Sequence, residues 1–148
     1  MKVGLALQGV SHLFLDTAPV IYYVERNPTY AARADEIFDR IDDGTLQGIT
    51  SPITLAECLV VPIRQGMIQT QQAFTELIVS GANTAFVALD HATARQAAEL
   101  RARYNLGLSD AFQVAAALLA GCGAFLTNDA AIKRVHELPI LVLDELEL

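Results

Sequence analysis

Short runs of consecutive apolar residues alternate along the chain with longer stretches in which apolar side chains recur every three or four positions. The first kind comprises Leu13–Asp16 (LFLD), Gly48–Thr50 (GIT), Ala85–Leu89 (AFVAL), Ala124–Thr127 (AFLT) and Ile140–Leu143 (ILVL). Each is brief and rich in apolar or β-branched residues, the mark of strands buried on both faces. The second kind predicts helices. In TYAARADEIFDRIDDG, residues Ala31, Ala34, Ile37, Phe38 and Ile41 share one stripe, and Gly44 supplies the stop. In SPITLAECLVVPIRQG, Ser51 is placed as N-cap and Pro52 as the first helical residue, with Pro62 expected to kink or end the helix near Val61. TQQAFTELIVSG and DHATARQAAELRARYN are two further amphipathic helices, and SDAFQVAAALLAG begins with Ser109 as cap and stops at Gly121. Strands alternating with helices predict an α/β fold: a three-layer α/β/α sandwich around a mainly parallel five-stranded sheet.

The length of 148 residues fits one domain with a sizeable core, and 53% hydrophobic against 18% charged residues argues against disorder. Residues 13–148 form that domain. Residues 1–12 are read as a leader or an extra strand, the leader being preferred, because one lysine and a few apolar residues make a poor signal peptide. The apolar stretch from Ala111 to Thr127 is broken by Gln113 and by Gly121-Cys122-Gly123, so it reads as helix, turn and strand rather than a membrane span. Cys58 and Cys122 lack CxxC spacing and fit a reduced, cytoplasmic setting, and the scattered His12, His91 and His136 do not suggest zinc. A net charge of −7 argues against a protein that mainly grips phosphates non-specifically. It does not exclude a nucleic-acid enzyme, because carboxylates that hold metal ions count as charges until the metal arrives.

The parallel sheet changes the meaning of four acids. Sites in open α/β sheets form outside the carboxyl ends of the strands. Asp16 ends the first strand, Glu57 lies early in the helix after the second, Asp110 lies in the first turn of its helix, and Asp129 follows the fourth strand in FLTND. Each also has a local explanation. Asp16 or Asp129 would serve as an N-cap, a first-turn aspartate such as Asp110 is favoured by the helix macrodipole, and Glu57 would point to solvent. Glu57 is the hardest to explain this way, since Leu55, Ala56, Cys58 and Leu59 surround it in sequence. Four converging carboxylates would repel one another, and a hard divalent cation with oxygen ligands resolves the conflict.

The ordered pieces FLDTAPVIYYVE, SPITLAE, LSDAFQVAAAL and FLTND resemble the PIN-domain family, particularly the VapC-like toxin ribonucleases of toxin–antitoxin pairs, across Leu13 to Leu143. The resemblance implies a parallel five-stranded sheet and a Mg²⁺- or Mn²⁺-dependent ribonuclease site. It places Asp16, Glu57, Asp110 and Asp129 as catalytic, metal-holding residues, with Thr17 and Thr127 as supporting hydroxyls and Asn128 beside them. It also implies an RNA substrate, a small antitoxin protein as partner, and a homodimer in the cytoplasm with no membrane contact. TQQAFTELIVSG and YYVERNPTY are the candidate interface segments. One departure stands out: Ala18 occupies a position where many relatives carry asparagine. Arg64, Arg95, Arg101, Arg103, Lys133 and Arg134 are candidate phosphate contacts, although a solvated helix face explains each of them better. A haloacid-dehalogenase-type phosphatase is disfavoured because it needs a second aspartate where Ala18 stands. A catalytically silent PIN-like binding module is the remaining alternative.

Overall fold

The computed structural model describes residues 1–148. Five strands, β1 (His12–Leu15), β2 (Gln47–Thr50), β3 (Thr84–Phe86), β4 (Ala124–Thr127) and β5 (Ile140–Val142), lie in the order β3-β2-β1-β4-β5. Every pairing is parallel, with Phe14 opposite Ile49 on one side and Phe125 on the other. The helices are α1 (Val3–Ala6), α2 (Thr17–Val24), α3 (Ala31–Asp42), α4 (Pro52–Arg64), α5 (Ile68–Ser80), α6 (His91–Tyr104) and α7 (Leu108–Leu119).

The apolar strands are uninterrupted because each face of the sheet has its own helical cover. Side chains alternate across a strand. Leu13 and Leu15 therefore join Val20, Ala34, Ile37, Phe38, Ile41 and Phe74 on one face. Phe14 joins Ala97, Leu100, Val114 and Phe125 on the other. The Phe14 and Phe125 rings stack with centroids 5.2 Å apart on adjacent central strands. This is the three-layer sandwich that the alternation predicts.

Local signals explain several helix ends. The Ser51 hydroxyl accepts from the Ile53 and Thr54 N–H groups at the start of α4. Asp90 caps α6 through the Thr93 N–H, Asn105 closes it in the left-handed conformation, and Gly44 turns the chain after α3 at φ +85°. Two expectations need correction. Pro62 neither ends nor interrupts α4, which runs on to Arg64. The proline sits in the last turn with its ring buried, so it forfeits one hydrogen bond while its own carbonyl accepts from Met67 N–H and Gln71 Nε2. Ser109 is not a cap either: α7 starts at Leu108, two residues before the start a Ser109 cap implies, with Gly107 in the capping position.

The first twelve residues pack against the rest of the chain, and Lys2 forms an isolated parallel bridge with Glu147. Residues 3–6 are helical, Val3 and Leu7 are buried in the core, and His12 already belongs to β1. The Val3 N–H donates to the Glu147 carbonyl, and Glu147 N–H donates to Met1, tying the two chain ends together. No helix is long and apolar enough to cross a membrane.

Candidate metal centre

An all-parallel sheet puts every strand's carboxyl end on one edge, and the four acids are distributed there by the elements that follow those ends. Asp16 follows β1, Asp129 follows β4, Glu57 lies one and a half turns into α4 after β2, and Asp110 lies in the first turn of α7. Asp16 occupies the N-cap position of α2, yet its side chain makes no cap bond. It turns into the protein, 7% exposed. There Oδ2 accepts from the Thr127 hydroxyl at 2.8 Å and Oδ1 faces the Gln113 amide nitrogen at 3.5 Å. Burial raises the Asp16 carboxyl above its ordinary value, while the Thr127 hydroxyl and the Thr17 N–H oppose the shift and the Glu57 charge adds to it.

Asp110 carries the strongest sign of a shared field. Its carboxyl is pushed up to about 6, first by partial burial and then by the charges of Asp16, Asp129 and Glu57. None of the four takes part in an ion pair. The five pairs in the molecule, Arg26–Asp35, Arg40–Glu36, Arg95–Glu99, Arg103–Glu137 and Lys133–Glu145, all lie elsewhere. The like charges are therefore left without an arginine or lysine to neutralise them.

The four side chains reach the same edge without closing on a single point, and no three His, Cys, Asp or Glu side chains stand near enough to hold one ion as they are placed. Two local contacts account for this. Glu57 Oε1 accepts from the Thr17 hydroxyl at 2.6 Å, and Asp129 caps the 3₁₀ turn at Ala130–Arg134 by accepting from Ala131 N–H at 2.9 Å. Both residues are exposed, so rotation about a side-chain bond gives up one hydrogen bond and frees an oxygen. Glu57 is thus not lodged among apolar neighbours as its sequence context implies. The donor set itself is all oxygen, anionic and uncompensated, which fits a hard divalent cation such as Mg²⁺ or Mn²⁺.

The supporting hydroxyls fall beside these acids. Thr127 donates to Asp16 and accepts from the Asp129 N–H at 3.1 Å, while Thr17 serves Glu57. Asn128 instead donates to the Tyr22 hydroxyl and accepts from Asp144 N–H, linking β4 to the C-terminal turn. Gln113, absent from the sequence-derived site, is completely buried and contacts Ser51, Thr54 and Asp16. The signal available in the sequence was an amide in an otherwise apolar helix, SDAFQVAAALL, one turn after Asp110.

The candidate phosphate-binding cations are largely engaged. Arg101 donates to the Leu106 carbonyl, Arg134 to the Tyr104 and Asn105 carbonyls, and Arg95, Arg103 and Lys133 are paired with glutamates. Only Arg64, exposed at the end of α4, has no such contact. Burial pushes both cysteine thiols up to about 12, so neither Cys58 nor Cys122 is a thiolate nucleophile. The largest surface depression, about 730 Å³ between Tyr23 and Leu77, contains none of the four acids.

Similar architecture occurs in solved toxin–antitoxin structures. VapBC2 from Rickettsia felis, bound to a DNA fragment from its promoter, matches with a TM-score of 0.67 and 17% identity over 87% of this chain and 96% of that one. A toxin–antitoxin complex from Klebsiella pneumoniae matches at 0.62 and 22% identity, over 90% of this chain and 98% of the other. VapC20 from Mycobacterium tuberculosis, a toxin that cleaves the sarcin–ricin loop, matches at 0.63 and 16% identity, over 76% of this chain and 86% of its own. No match to a curated protein was found. The PIN domain family model aligns with residues 13–138, a span that takes in all four acid-bearing segments from Asp16 to Asp129 and leaves out only the chain ends and β5. The chain belongs to the PIN domain family.

Proposed function

We propose that this PIN domain is a divalent-metal-dependent ribonuclease that hydrolyses RNA phosphodiester bonds and acts as the toxin of a toxin–antitoxin pair in the cytoplasm. The observation that carries the proposal is the uncompensated set Asp16, Glu57, Asp110 and Asp129 on one sheet edge, where their mutual repulsion helps push Asp110 up to about 6. A second line of support is that VapC20, with the same fold, cleaves the sarcin–ricin loop. The toxin–antitoxin structures of similar fold support a small antitoxin protein as partner, and a homodimer is part of the same reading.

Asp16 and Asp110 would hold a Mg²⁺ or Mn²⁺ ion, and Glu57 and Asp129 would contribute further carboxylate oxygens once released from their present hydrogen bonds. The bound ion supplies Lewis-acid polarisation of the scissile phosphate and charge stabilisation of the leaving oxygen. Thr127 holds Asp16 in place through Oδ2, and the Thr17 hydroxyl is the contact that Glu57 would give up. Glu57 and Asp129, both exposed, are the acids placed to accept a proton from an attacking water.

The test is cleavage of a labelled single-stranded RNA with Mg²⁺ or Mn²⁺, in EDTA, and by Asp16→Asn with its fold checked by circular dichroism. Cleavage that needs the cation and is lost in the variant supports the proposal, and full activity in EDTA ends it. Ala18 and the unclosed acid set favour one alternative, a silent PIN-like module that binds RNA or protein. Binding of the RNA without cleavage under every cation condition would establish that alternative instead.

A further inference from the structure

The geometry points to Gln113 as a positioning residue that aims Asp16 toward the cation, an inference that rests on the metal-dependent reading of the site. Gln113 sits on the face of α7 turned toward the sheet, three residues after Asp110, and is 0% exposed. A buried primary amide must place two donors and an acceptor, and an amide with its ends exchanged would be mispaired.

Here the orientation is dictated by α4. The Ser51 oxygen is occupied as acceptor by two backbone N–H groups, Ile53 at 3.1 Å and Thr54 at 3.5 Å. Its own hydrogen is then free to donate, and it donates to Gln113 Oε1. That fixes the NH₂ end toward β1. One hydrogen goes to Thr54 Oγ1 at 2.9 Å, whose hydroxyl is itself committed to the Leu15 carbonyl at 3.2 Å. The other faces Asp16 Oδ1 at 3.5 Å, a long contact. With Thr127 on Oδ2, the Asp16 carboxylate is held at both oxygens from two different elements, α7 and β4.

The consequence concerns metal affinity more than folding alone. Groups that orient a ligand carboxylate typically change affinity by about 10- to 100-fold when removed, and a contact at this distance belongs at the lower end. The relay also connects the acid-bearing helices. The start of α4, which carries Glu57, and the first turns of α7, which carry Asp110, meet at one amide that faces Asp16.

The experiment is Mn²⁺ titration of the full chain, with free Mn²⁺ followed by electron paramagnetic resonance, for the wild type, Gln113→Met and Ile78→Ala. Ile78 is a buried residue of α5, a helix that contributes none of the four acids, so Ile78→Ala controls for loss of stability alone. The expected result is about tenfold weaker Mn²⁺ binding in Gln113→Met, with Ile78→Ala at the wild-type value. Partial recovery in Gln113→His, which keeps a ring N–H donor, would add support. Wild-type affinity in Gln113→Met, or equal weakening in Ile78→Ala, overturns the positioning role while leaving the metal-dependent reading intact. Absence of Mn²⁺ binding by the wild type overturns both.

Discussion

Replacing Asp110 by asparagine should make the metal-free protein more stable, an unusual outcome for a half-buried polar position. The carboxyl stands at about 6 against an ordinary value of 3.8, a difference of about two pH units, each worth about 1.4 kcal/mol. The full conversion is about 3 kcal/mol, and solvent screening at this half-exposed group reduces it to about 1.5 kcal/mol. Between pH 4 and 6 the folded protein retains a proton that the unfolded chain has released. Stability therefore falls as pH rises through that window, and the loss is complete by about pH 7. Asp110→Asn lacks this loss. Urea unfolding in EDTA should show the variant more stable by about 1.5 kcal/mol at pH 7.5, or about 3–6 °C in melting temperature, with the advantage gone near pH 3.5. Added Mg²⁺ or Mn²⁺ should stabilise the wild type more than the variant. A variant that is less stable than the wild type at pH 7.5, or a gain independent of pH, would refute the idea that these acids strain one another.

Three further outcomes follow from the contacts. Thr127→Val removes a buried hydroxyl that donates to Asp16 and accepts from Asp129 N–H, and should cost about 2 kcal/mol in urea unfolding. Deleting residues 1–7 should cost about 3–5 kcal/mol, since it strips Val3 and Leu7 from the core and breaks the pairing with Glu147; an unchanged urea midpoint would refute any contribution of these contacts to stability. Phe14→Ala, which removes one of two stacked rings between the central strands, should cost about 3–5 kcal/mol by the same measurement.

The strands were legible because burial on both faces writes itself as short uninterrupted apolar runs, and residues 124–127 coincide with β4 without adjustment. The Ser51 cap was equally plain, since a hydroxyl before Pro52 has a local purpose. What escaped depends on distance in the chain. The N-terminal helical turn is held by Glu147, and nothing within its own residues announces that partner. Pro62 reads as a breaker until its burial against neighbouring elements is known. Glu57 looks enclosed in sequence, but the buried stripe of α4 runs through Thr54, Cys58 and Pro62, and one residue's rotation carries Glu57 off that stripe. The positions of the acids along the elements could be read from the sequence; the hydroxyl and amide contacts that hold each of them could not. The role of Gln113 needed three elements at once.

The most direct measurement is the anomalous difference density of crystals soaked in Mn²⁺. The account predicts a peak bonded to carboxylate oxygens of Asp16 and Asp110, at about 2.0–2.3 Å, with Glu57 or Asp129 rotated toward it. A protein that stays free of the ion at saturating Mn²⁺, or that binds it through side chains other than these four, would contradict it.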